Sequence, residues 1–116
     1  MDLTPLETMT REFLLRENAG DRSYFEVRLA SHMSMRRSNG VIVDRAQFLI
    51  DMKPGGDRER VSIGSTTLLG SERACVNFQV RSGGKIVDNL LVFVRQADSP
   101  EGWVLLAWAN EPVRTN

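Results

Sequence analysis

VSIGSTTLLGSERACVNFQVRSGGKIVDNLLVFVR, residues 61–95, decides the fold. It contains three strand-like runs separated by turn signals, and WVLLAWAN, residues 103–110, follows as a fourth. Runs of this kind, joined by short glycine-containing turns, predict consecutive antiparallel strands. Gly83-Gly84 fits a two-residue hairpin loop. It pairs Ser82 with Lys85, Val80 with Val87, Phe78 with Asn89, Val76 with Leu91 and Ala74 with Phe93. Gly70-Ser71 fits a type II′ loop, which pairs Thr67 with Ala74, Ser65 with Val76, Ile63 with Phe78 and Val61 with Val80. Opposed residues share a face, and the two registers, inferred separately, agree.

One face then collects Val61, Ile63, Ser65, Thr67, Ala74, Val76, Phe78, Val80, Val87, Asn89, Leu91 and Phe93. This is the core face, expected to receive the helices, because a slip of one residue would invert the whole pattern. The other face is mixed. Cys75, Asn77, Gln79 and Asp88 lie there with Leu90, Val92 and Val94, so the third strand is apolar on both sides. A sheet open to water on one face normally shows polar residues there. Contiguous apolar residues instead mark an association surface, and the expected cover is a second copy of the chain.

Working outward, Thr4-Pro5-Leu6-Glu7 reads as a capping box with proline at the first helical position. Leu6, Met9, Phe13 and Leu14 follow at helical spacing, and the helix should stop near Asn18-Ala19-Gly20. Asp21 or Ser23 caps a second, shorter helix bearing Phe25, Leu29 and Ala30. Asn39-Gly40 is a hairpin signal between Met33–Arg37 and Val41–Val43. Asp44 caps a third helix with Phe48, Leu49 and Met52, and Lys53-Pro54-Gly55-Gly56-Asp57 ends it. The chain reads as one domain, 1–116, of the α+β class.

Formal net charge is zero, without the basic excess of a nucleic-acid binder. Cys75 has no internal partner for a disulfide, the N-terminus has no signal-peptide pattern, and no apolar run approaches the ~18 residues of a membrane span. A cytoplasmic location is expected, with no nucleic-acid or membrane partner.

RRSNGVIVDRAQFL (36–49), GSERACVNFQV, DNLLVFVR (88–95) and GWVLLAWANEPV (102–113), in an order of helices, ribbon, helix and long sheet, resemble the nuclear transport factor 2-like superfamily. The likeness is greatest to its SnoaL-like bacterial members of unassigned function. The resemblance implies a cystatin-like cone, with N-terminal helices packed in the concave face of a strongly bent antiparallel sheet. It also implies a pocket at the open end, and commonly a homodimer through the outer sheet face. The superfamily includes isomerases, dehydratases, cyclases and non-catalytic domains, so fold alone does not choose among them.

Its enzymes need a carboxylate or a His–Asp pair inside the cone. The predicted core face has no acid, and Asp88 falls on the back face, which tells against catalysis. His32, the single histidine, is the candidate proton-transfer base, against the plainer reading of a partly exposed or capping residue. Asn89 is the amide on an otherwise apolar core face. It either ties down a backbone group or faces a polar cavity, which Ser65 and Thr67 would share. Tyr24, Phe13, Met33, Met35, Phe48 and Trp108 either line an apolar pocket or pack as plain core. The phase of the last strand is open, so either Trp108 or Trp103 faces inward. At most one of Arg36 and Arg37 faces a pocket. One histidine and one cysteine do not make a metal site, and no cofactor is implied. The expected function is therefore binding of a small organic molecule in an apolar pocket of a homodimeric cone. The alternatives are a small lyase or isomerase working by proton transfer in that pocket, and a non-catalytic association scaffold.

Overall fold

The structure is a computed structural model; it describes residues 2–112, apart from the side chain of Ile63. Val113 and the inward orientation expected of the Ile63 side chain lie outside the described residues. The elements are α1 (Thr4–Ala19), α2 (Arg22–Glu26), β1 (Leu29–Arg36), β2 (Ile42–Asp44), α3 (Arg45–Asp51), β3 (Glu59–Leu68), β4 (Arg73–Ser82), β5 (Lys85–Arg95) and β6 (Trp103–Pro112). The six strands form one strongly curved sheet in the order β2-β1-β6-β5-β4-β3, and the fold is the expected α+β cone. No helix among the described residues is long and apolar enough to cross a membrane.

α1 buries Leu6, Met9, Thr10, Phe13 and Leu14, the stripe its spacing dictates. Phe13 is at the centre of the core, with ring centroids 5.1 Å from Phe25, 5.9 Å from Phe93 and 6.0 Å from Trp108. The capping box does not form. Thr4 is already helical, and the Asp2 carboxylate accepts from the Thr4 N–H at 2.9 Å. Asp21 and Asp44 do cap α2 and α3, accepting from the N–H groups of Tyr24 and Gln47.

α2 is shorter than expected, so Leu29 and Ala30 open a strand instead of extending a helix. Tertiary bonds override the helical pattern. The Arg28 carbonyl accepts from the Leu105 N–H at 2.8 Å, and its guanidinium grips Glu101 at 3.0 Å. β1 is thereby drawn alongside β6 in parallel, while pairing antiparallel with β2 around Asn39-Gly40 as expected.

The β4–β5 register is as expected, from Ser82 opposite Lys85 to Ala74 opposite Phe93. The β3–β4 register is not. Leu69 N–H bonds the Arg73 carbonyl at 2.8 Å, so the loop holds three residues, Gly70 to Glu72, and Leu68 faces Ala74. Arg95 holds that loop open, its N–H on the Glu72 carbonyl and its Nε on the Ser71 carbonyl. The shift places Thr66, not Ser65, opposite Val76, so Ser65 and Thr67 are exposed on the back face. A bulge at Gly64 restores Ile63 opposite Phe78, and a second at Val61 puts Arg60, not Val61, opposite Val80. Gly64 is required there: a Cβ would lie 2.8 Å from the Asn77 carbonyl oxygen.

β6 carries a bulge as well. Val92 faces Ala107 and Phe93 faces Leu105, leaving Leu106 without an opposite number. The extra residue changes the strand's phase between the two tryptophans. Both are therefore buried, Trp103 at 3% and Trp108 at 1% exposure, where a regular strand would bury only one.

Candidate functional site

The residues named either for an apolar pocket or for plain core lie in the interior of the cone. Phe13, Met33, Met35, Phe48 and Trp108 are all at most 2% exposed and pack into one core. Asn89 is buried, its Oδ1 accepting from Trp108 Nε1 at 2.7 Å and its Nδ2 donating to the Val87 carbonyl at 3.2 Å, and it also contributes to the wall of an open space of about 640 Å³ that Asn77, Gln79, Asp88 and Leu90 line. Tyr24 is half-buried, with the guanidinium carbons of Arg28 and Arg16 at 3.9 and 5.1 Å from its ring centre. Burial pushes its phenol up to about 12, opposed by the charge of Arg28. His32 is exposed, one residue out of phase with the inward Met33 and Met35.

Another open space lies at the cone's mouth. A cavity of about 290 Å³ is lined by Glu17, Asn18, Arg37, Phe48, Asp51, Met52, Lys53, Gly56, Asp57, Arg58 and Ser82. Its floor is apolar, from Phe48 and Met52, and its walls are charged. Of the residues singled out for ligand binding, only Phe48 reaches it.

The end of α1 organises this mouth. Gly20 closes the helix in the left-handed region at φ 70°, its N–H on the Glu17 carbonyl. A side chain at Gly20 would meet Pro54 N at 2.6 Å, so the loop before β3 packs directly on the helix end. Asn18 then fastens that loop. Its carbonyl accepts from Gly55 and Gly56, its Nδ2 donates to the Arg58 carbonyl at 2.8 Å, and its Oδ1 accepts from the Arg58 N–H at 3.1 Å. These bonds deliver the Arg58 guanidinium to the preceding helical residue: Arg58 Nη1 lies 3.0 Å from Glu17 Oε1. Both atoms are shielded from water, and the Arg58 guanidinium carbon lies 5.8 Å from the centre of the Trp108 ring.

Burial raises the Glu17 carboxyl above its ordinary value, and the charges of Arg58 and Arg37 oppose that rise. Arg37 leaves β1 toward the mouth and donates to Asp51 at 2.8 Å, while Gln47 holds the other Asp51 oxygen at 2.6 Å. Asp57 accepts from Gly83 N–H and from Ser82 Oγ, both at 3.0 Å, and these bonds lower its pKa. Asn110 faces Asn89 across β5–β6, is fully buried, and has no hydrogen-bond partner for either amide atom among the described residues. No cluster of three or more His, Cys, Asp or Glu suited to a metal occurs among the described residues.

Glu17 is the residue that the sequence reading missed. The signal was present: it continues the buried stripe of Phe13 by one more turn, an acid where an apolar residue is expected. Arg58 has no such local mark.

No family model matches the chain, and no curated protein matches it. Solved structures do. A nuclear transport factor 2-like protein from Cytophaga hutchinsonii superposes with TM-score 0.80 at 11% identity, covering 97% of this chain and 100% of that one. The CaMKII hub of S. rosetta gives 0.78 at 13%, covering 95% of each. An uncharacterized cystatin-like-fold protein from Caulobacter vibrioides gives 0.77 at 13%, covering 96% of this chain and 89% of that one. The chain has the nuclear transport factor 2-like fold. At these identities the likeness speaks of the fold alone.

Proposed function

We propose that this nuclear transport factor 2-like chain is a small-ligand-binding domain whose site is the charged mouth of the cone, and that it takes a small anionic molecule there. The observation that carries this reading is the convergence of Arg37 and Arg58 on one cavity above the apolar Phe48 and Met52. Guanidinium groups bind carboxylates and phosphates through directed N–H donors. The cavity is close to the ~300 Å³ lower end of ligand pockets, which favours a small metabolite. A proton-transfer activity would run through Glu17, the shielded acid of the mouth, rather than through exposed His32. The unpaired Cys75 fits a reducing compartment such as the cytoplasm.

The test is amide-resolved NMR titration with small mono- and dicarboxylates. Shifts should concentrate at residues 17–18, 37, 48–53 and 56–58, and Arg58→Ser should abolish them. A spectrum unmoved at millimolar concentrations of every acid would refute the site.

A second reading, an association scaffold, is supported by the back of the sheet. Leu90, Val92, Val94, Leu106 and Ala107 are only half-buried in the single chain, and Asp88 is exposed there beside Gln79. Apolar residues so placed fit pairing with a second copy. One structural neighbour is itself a CaMKII hub. The two readings are compatible, since the mouth and the back of the sheet share no side chain.

A further inference from the structure

We propose that the mouth takes up a carboxylate together with one proton, Glu17 passing from counter-ion of Arg58 to neutral carboxylic acid as the ligand takes over the guanidinium. This rests on the reading of the mouth as an anion site, and adds the means by which its resident acid makes way.

The argument begins with what each charged group already does. Three basic residues (Arg37, Lys53 and Arg58) and three acidic ones (Glu17, Asp51 and Asp57) line the cavity, so its formal charge is balanced when empty. Arg37 is engaged by Asp51 at the rim. Asp57 spends both oxygens on the β4–β5 turn. Lys53 is exposed. Arg58 is the guanidinium whose contact atom is shielded, and Glu17 occupies it at 3.0 Å.

An incoming carboxylate thus meets a cation that is already paired. Placed beside an ionised Glu17, it would put two negative groups on one guanidinium in a partly dry site. Two carboxylates in such a position do not both stay ionised; one of them retains a proton. Glu17 is the better holder. Its Oε1 is shielded, whereas a ligand entering from the mouth lies nearer the water. Its own burial already favours the neutral form. Asp51 and Asp57 are poor holders, because their oxygens accept from Arg37, Gln47, Ser82 and Gly83 and would lose those bonds on protonation. With the proton on Glu17, the mouth is again balanced.

Isothermal titration of the full chain decides the point, with acetate, propionate and butyrate as probes and their amides as controls. Measuring each in two buffers of different ionisation enthalpy counts protons directly. The expected result at pH 7 is an uptake approaching about one proton per carboxylate, with affinity falling by up to about tenfold per pH unit above the Glu17 pKa. Glu17→Gln, checked for folding by circular dichroism, should bind with no uptake and a flat pH profile. Carboxylate binding by the natural chain with no proton uptake overturns the proposal and leaves the anion site standing, whatever the variant does. No binding by either protein overturns both. Equal binding of the amides overturns the anion site itself.

Discussion

The hydrogen bond from Trp108 Nε1 to Asn89 Oδ1, 2.7 Å long, joins two side chains that sequence alone places on the same face only by chance of phase. Asn89 was legible, because Gly83-Gly84 fixes the β4–β5 register. Trp108 was not, because nothing in WVLLAWAN announces the extra residue at Leu106. The bond should be worth more than its neutral type suggests, since the acceptor is buried. Trp108→Phe removes the donor and leaves the Asn89 oxygen without water or partner. Urea denaturation should show a loss of about 1–3 kcal/mol from that orphaned oxygen, besides the packing lost with the larger ring. A loss below half of the lower figure would mean that Asn89 finds another donor. Glu17 shows the opposite failure of reading. Its position on the α1 stripe is legible, but its partner Arg58 lies some forty residues away and carries no local mark.

Among the elements, those bounded by strong local chemistry were readable and those set by distant contacts were not. Asp44 starts α3 and Asn39-Gly40 turns β1 into β2, each by bonds within a few residues. The β3–β4 loop depended on Arg95, more than twenty positions further along, and so its length was misread together with the placement of Ser65 and Thr67. The junction of α1 with the loop before β3 is of the second kind and has a testable weakness. Gly20→Ala forces a left-handed conformation costing about 1–2 kcal/mol and pushes a methyl group into Pro54. The melting temperature should fall, and hydrogen exchange should quicken first at the amides of Gly55, Gly56 and Arg58, which Asn18 holds. Uniform quickening across the sheet would show that the junction is not a local clasp.

For the whole molecule, the cone was foreseeable from the order of its elements, but the way its core side chains meet was not. Volume matching among Phe13, Phe48, Met33, Met35 and Trp108 is a property of three-dimensional packing that no linear pattern displays. The apolar back of the sheet makes its own claim at this scale. Val92→Lys places a charge in the middle of β5, facing away from the helices. Sedimentation at micromolar concentration should show a pair for the natural chain and a single chain for the variant, with unchanged circular dichroism. A single chain in both would remove the case for self-association through this face.

The sheet order has a consequence for how such a molecule comes into being. β6, which follows the other five strands of this sheet along the chain, stands between β1 and β5. Until it is threaded into place, the ribbon β1–β2 and the meander β3–β4–β5 are two separate pieces, and Phe13 and Phe48 lack the Trp108 ring they pack against. During synthesis on a ribosome the five earlier strands must therefore wait, incompletely sheltered, for β6 to emerge. The slowest and most aggregation-prone step in forming this sheet should be the insertion of β6.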